Sequence, residues 1–257
     1  YELLGICVAY KKQPEVSNTT KKETKNGSWN ECSENTERAV IIEKNPEALL
    51  QRVRLIKNAK KEIILSTFAF QSDESGKLIL GALHDAADRG VHIRLLVDGM
   101  ESWIDMEGNP YFYGLSSHEN VEIKLYNKAN PLKPWKMMGR MHDKYLIADG
   151  KRYILGGRNT YNYFLGDFPG HKNYDRDVLV VCDEPEKENS VNQLLEYFET
   201  IWEQEDSGYF HDNKKLANRK SVKNAVLELQ NGYQKYFEEN KERICETDYT
   251  DETFETE

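Results

Sequence analysis

From Val40 onward, apolar positions fall into short periodic runs separated by polar stretches. In "NPEALLQRVRLIKNAK", Leu49, Val53 and Ile56 share one face at helical spacing, and Pro46 suits a first helical turn. "EIILSTFAF" is β-branched and aromatic, which predicts a strand. "SGKLILGALHDAADRG" predicts a second amphipathic helix closed by Gly90. "VHIRLLVDG" and "VEIKLYN" read as strands. "KYLIAD" and "RYILGG" flank the turn residues Asp149-Gly150 and read as a hairpin. "RDVLVVCD" is the last clear strand, and "SVNQLLEYFETIWEQ" and much of 214–243 read as helix. Strands alternating with helices in the first half predict an α/β fold whose sheet is largely parallel and flanked by helices on both faces. The hairpin adds an antiparallel portion, so the expected sheet is mixed. No internal repeat is visible within these residues.

Residues 1–38 break the pattern. They are rich in Lys, Thr, Asn, Ser and Glu and read as a polar linker. The leading "YELLGICVAY" is too short to span a bilayer. It reads as the trailing end of a signal or anchor segment, or as a short strand. Asn18-Thr-Thr and Asn26-Gly-Ser are formal glycosylation sequons, a pattern common by chance. The four cysteines are scattered without C-x-x-C spacing, which argues against a zinc site or a disulfide framework.

The 257 residues carry 35 Lys and Arg against 44 Asp and Glu, a net charge of −9. That balance argues against a general nucleic-acid coat protein. The charge is uneven. Residues 245–257 hold six acids and no base, whereas residues 121–160 hold nine Lys and Arg against three acids, a local balance of about +6.

That basic segment contains "RMHDKYLIADGKRYILGGRN", residues 140–159. Strand alternation puts His142 and Lys144 on one face and Tyr145 and Ile147 on the other. Gly156 and Gly157 let the backbone turn and approach a ligand without a Cβ in the way. Asn159 lies just past that turn. If the two strands pair, His142, Lys144 and Asn159 can face one small anion. The set suits phosphoryl chemistry. A neutral imidazole is a nucleophile towards phosphorus. An ammonium and an amide N–H can hold phosphate oxygens as charge shifts. No metal or other cofactor is called for: the nearby acids are too few and too interleaved with bases to form a magnesium cage.

His142-Asp143-Lys144, Asp149 and Gly156-Gly157-Arg158-Asn159 match the HKD motif of the phospholipase D superfamily, and the surrounding segment resembles its bacterial cardiolipin synthase branch. The resemblance covers about residues 40–205. It implies a catalytic repeat over 39–205 and a helical extension with an acidic tail over 206–257. It also implies a phosphohistidine mechanism: His142 as nucleophile, Lys144 and Asn159 as the phosphate clamp, Asp149 as a supporting carboxylate. Arg140, Gly156, Gly157 and Arg158 are expected to line the substrate. Family members use a downstream acid to orient the nucleophile. Asp177 is the candidate and Asp175 the runner-up, with a plain ion pair of Asp177 to Arg176 or Arg158 as the competing reading.

The mechanism needs a second imidazole. His84, His92, His118, His171 and His211 lack a Lys two residues later, so one motif is present. The partner motif is expected from a C-terminal half beyond these residues, favoured by the non-Met start and the acidic end, or from a second subunit about a twofold axis. The expected substrate is a phospholipid such as phosphatidylglycerol, at a bacterial membrane surface. Tyr111, Phe112, Tyr113, Trp135, Met137, Met138, Phe164 and Phe168 are candidates to meet acyl chains or, equally, to pack in the core. The alternative is a homodimeric phosphodiesterase acting on nucleic acid. The basic segment suits that reading, and the overall charge weighs against it.

Overall fold

The computed structural model describes residues 37–128, 139–182, 189–211, 215–247 and 249. The sequons, Cys7, Cys32, Trp135, Met137, Met138 and nearly all of the expected linker and acidic tail lie outside the described residues.

Eight strands form one sheet: β1 (Glu37–Ile42), β2 (Glu62–Thr67), β3 (His92–Asp98), β4 (Val121–Tyr126), β5 (Lys144–Ala148), β6 (Arg152–Gly156), β7 (Asp177–Cys182) and β8 (Ser207–Tyr209). The helices are α1 (Asn45–Asn58), α2 (Glu74–Asp88), α3 (Gly99–Asp105), α4 (Pro110–Ser116), α5 (Ser190–Trp202), α6 (Lys220–Glu239) and α7 (Lys241–Cys245). Strand β1 takes up Glu37 and Arg38, the last two residues of the expected linker.

The strand order is β1-β7-β6-β5-β2-β3-β4-β8. Only β2–β3 and β3–β4 pair in parallel; the other neighbours are antiparallel. The sheet is therefore mixed but mostly antiparallel, not largely parallel. Helical crossovers between neighbouring strands, which parallel pairing requires, join only β2 to β3 and β3 to β4; α1 and α5 lead from β1 to β2 and from β7 to β8, which are not neighbours. A tight turn joins β5 to β6 and forces them antiparallel. Its central residues Asp149 and Gly150 have φ of 55° and 62°, the sign a type I′ hairpin turn requires.

Side chains alternate between two apolar layers. Ile63 and Leu65 of β2, with Leu146 and Ala148 of β5, join a core shared with α1, α2, α4 and α6. Ile64, Tyr145 and Ile147 face a second core completed by Val191, Phe198 and Trp202 of α5. Helices thus cover both faces, as expected. Phe112 and Phe164 are buried in the first core, with Tyr111, Tyr113 and Phe168 packed against it. The segment after residue 205 joins the same body: β8 pairs with β4, and Leu229, Tyr233 and Phe237 of α6 belong to the first core.

Candidate active site

The site forms where β2 ends against the start of β5. Three successive residues of the β2 end each meet one residue of the motif. Thr67 pairs with Lys144 across the sheet. The Phe68 ring packs edge-on against the His142 imidazole, with centroids 4.6 Å apart. The Ala69 backbone N–H donates to Asn159 Oδ1 at 3.2 Å. A bridge between Phe70 and Thr160 extends the pairing past the strand. The β5–β6 hairpin returns the chain so that Asn159 reaches the same end as His142. Fixing the Asn159 carbonyl on Ala69 leaves the amide N–H₂ as the donor end.

Lys144 is buried, and its ammonium donates to the His142 carbonyl at 2.7 Å. Burial pushes the Lys144 ammonium below its ordinary pKa of 10.5, opposed by the negative charges of Asp143 and Asp175. Asp143 accepts the Tyr197 hydroxyl from α5 at 2.8 Å. Burial and that carboxylate push the Tyr197 phenol up to about 12. His142 as a residue is solvent-exposed.

Asp98 holds the approach to the motif. It is fully buried at the end of β3. Its Oδ1 accepts from Arg140 Nε at 2.8 Å, and its Oδ2 accepts the Met141 backbone N–H at 3.0 Å. Arg140 also reaches Glu101 of α3 at 2.8 Å, and its guanidinium lies 4.9 Å from the Phe68 ring centre. Arg140 therefore stays at the rim beside His142, with two acids on it.

Three of the singled-out residues take places that their spacing did not reveal. Asp149 lies at the other end of β5 from His142, roughly 20 Å along the chain at strand rise. Its carboxylate accepts the backbone N–H groups of Lys60, Lys61 and Glu62 at 2.9, 2.8 and 3.0 Å. It anchors the α1–β2 connection, at the end of β5 away from His142. Asp177 is buried between two guanidiniums, Arg52 Nη1 at 2.9 Å and Arg158 Nη1 at 3.3 Å. Arg158, expected to line the substrate, is 1% exposed and bonds Asn45 Oδ1 and the Ile42 carbonyl, so it braces the β1–α1 corner. Of the two downstream acids, Asp175 is the one whose charge acts on Lys144. It acts on Arg158 as well.

Gly156 and Gly157 are needed for a different close approach from the one expected. A Cβ on Gly156 would overlap the Asp177 carboxylate and the Arg176 backbone, and one on Gly157 would overlap the Asp175 carboxylate. The absent side chains make room for acids of the protein. Phe68, Asp98 and Arg52 were not singled out by the motif. Only Asp98 left a local trace, an acid closing the apolar run "LLVDG" before a glycine.

A mixed sheet covered on both faces, with His, Lys and Asn of an H-x-K…G-G-x-N set gathered at one end of its central strands, is the architecture of the phospholipase D superfamily. A family model described as "Cardiolipin synthase, PLD-like domain" matches residues 52–202, and the chain belongs to that family of phosphodiester-processing proteins. It is 31% identical over 206 residues to a protein of Helicobacter pylori strain J99, covering 74% of this chain and 38% of that protein. It is 29% identical over 171 residues to cardiolipin synthase C of Escherichia coli K12, covering 61% and 34%. The chain thus spans well under half the length of these relatives. Among solved structures, the fold is similar to NucT from Helicobacter pylori, with a TM-score of 0.53 and 17% identity, covering 68% of this chain and 99% of that one. It is also similar to phosphatidylserine synthase of Haemophilus influenzae, with a TM-score of 0.55 and 17% identity, covering 78% and 44%.

Proposed function

We propose that the chain supplies one half of a phosphodiester-transfer site and acts on phospholipids. The observation that carries this reading is the convergence of His142, Lys144 and Asn159 on Thr67, Phe68 and Ala69. A ring nitrogen of His142 attacks phosphorus, a P–N bond forms, and the P–O bond to the leaving alcohol breaks. The Lys144 ammonium and the Asn159 amide hold the non-bridging oxygens, whose charge rises in the transition state. A second imidazole, from a partner motif, protonates the leaving oxygen. It then takes the proton of the acceptor, water or an alcohol, which attacks phosphorus, breaks the P–N bond and restores His142.

The lipid reading is supported by the family description and by the Escherichia coli relative, and it places the protein at a bacterial membrane surface. Among the described residues no helix is long and apolar enough to cross a membrane. Trp103 and Ile104 on α3 are 56% and 67% exposed, on the helix whose Glu101 holds Arg140. They supply apolar side chains beside the site for a lipid surface. The basic balance of residues 121–160 keeps nucleic acid as the second reading.

Incubation of the full-length gene product with phosphatidylglycerol vesicles and, separately, with single-stranded DNA tests the choice, each against His142→Ala. Cardiolipin formation that vanishes in the variant is the expected result. DNA cleavage without lipid turnover overturns the lipid reading. A dimer of this chain that turns over phosphodiesters would make the partner motif a second subunit's and not a second half's.

A further inference from the structure

We propose that Phe68 is the positioning residue of the His142 nucleophile, an aromatic platform that sets the imidazole and holds the two cations beside it. The inference deepens the reading of this site as a phosphohistidine centre and rests on it.

Phe68 follows the last residue of β2 and is half-buried. Three groups of the motif segment converge on its one ring. The His142 imidazole meets it at 4.6 Å between centroids with the planes 61° apart. The Lys144 ammonium lies 5.1 Å from the ring centre and the Arg140 guanidinium 4.9 Å. An edge-to-face ring pair is favoured by the aromatic quadrupole, and the ring's electron-rich face attracts cations.

No hydrogen bond to the His142 ring is present among the described residues. Lys144 donates to the His142 carbonyl, and Asp143 accepts from Tyr197. Asp177 lies between Arg52 and Arg158. The second torsion of a histidine has a broad, shallow preference, so an unbonded imidazole samples many ring angles. The Phe68 contact selects among them. It also keeps Lys144 and Arg140 on the imidazole's side of the site, where a phosphodiester would arrive. A leucine here would keep much of the apolar volume and lose the flat ring and its quadrupole. A tyrosine would keep both.

The test uses Phe68→Leu, Phe68→Met and Phe68→Tyr with a p-nitrophenyl phosphodiester, whose phenolate leaves without a general acid. Formation of the phosphoenzyme is followed after alkaline quench, and the His142 ring protons are followed by NMR. Misplacing an attacking group by about 1 Å costs on the order of 100-fold, so the phosphorylation rate should fall by roughly 10- to 100-fold in the Leu and Met variants, with KM changing less than about threefold. Phe68→Tyr should restore the rate. The ring-current displacement of the His142 protons should be lost in Leu and Met and kept in Tyr. A wild-type phosphorylation rate in a folded Leu or Met variant, or unchanged His142 resonances, overturns the proposal. A wild-type protein that forms no phosphoenzyme overturns the functional reading alone, because the resonances still decide whether Phe68 sets the ring.

Discussion

The Asp98 carboxylate accepts the Met141 backbone N–H at 3.0 Å, so the end of β3 holds the residue immediately before His142. The same carboxylate caps α3 through the Met100 N–H at 3.0 Å and binds Arg140. One buried acid thus ties a strand end, a helix start and the motif together. Asp98→Ala leaves Arg140 without its buried partner and the Met141 N–H without an acceptor, at an expected cost of about 3 kcal/mol by urea denaturation. Asp98→Asn keeps an acceptor but turns a donor towards Arg140 or Met141. Its turnover should fall at least about tenfold through displacement of His142, with a smaller loss of stability.

Asp149 tests whether a motif residue acts at a distance from the chemistry. Its carboxylate closes three backbone N–H groups of the α1–β2 connection. Asp149→Ala should destabilise the fold by about 1–3 kcal/mol while leaving the kcat of the folded fraction near wild type. A large kcat loss at full stability would return Asp149 to the catalytic set.

Asp177→Asn should destabilise more strongly than a surface acid would. It leaves Arg52 and Arg158 buried side by side without a counter-charge. Breaking such a pair costs about 3–5 kcal/mol, measurable as a drop in Tm or in the urea midpoint. Asp175→Asn, which removes the half-buried acid near Lys144, should instead change kinetics with little change in Tm.

The clamp role proposed for Lys144 carries a pH signature. Burial disfavours its charged form, so the free enzyme should lose the ammonium below pH 10.5. The alkaline limb of kcat/KM should therefore fall below that pH. A bound phosphodiester anion favours the ammonium, so the limb of kcat should lie at higher pH than the limb of kcat/KM. Lys144→Arg should remove the limb from the profile, because a guanidinium stays charged throughout the range. A limb unmoved by Lys144→Arg would assign it to another group.

Long periodic segments were the legible part of the fold. Leu49, Val53 and Ile56 marked α1, and the β-branched runs marked the central strands, because burial on one face or both imposes those periods. The short elements left no period to read. Helices α3 and α4 span seven residues each and β8 three, and their places depend on Asp98, Asn109 and pairing with β4. Parallel and antiparallel neighbours look alike along one strand, so the mostly antiparallel sheet was not visible beyond its hairpin.

For the site, local sequence was enough to propose the chemistry: an imidazole, an ammonium and an amide at H-x-K…G-G-x-N spacing, on and beside two strands joined by Asp149-Gly150. Only the tertiary structure sorted those residues by role. It set Asp149 at the far end of β5, buried Asp177 and Arg158 in an ion cluster with Arg52, and filled the space over Gly156 and Gly157 with Asp177 and Asp175. It also brought in Phe68 and Asp98 from strands more than 40 residues upstream of the groups they hold. Spacing along a chain fixes which groups can share a strand face. The contacts that orient a side chain or neutralise a charge come from other strands, at separations no local pattern encodes.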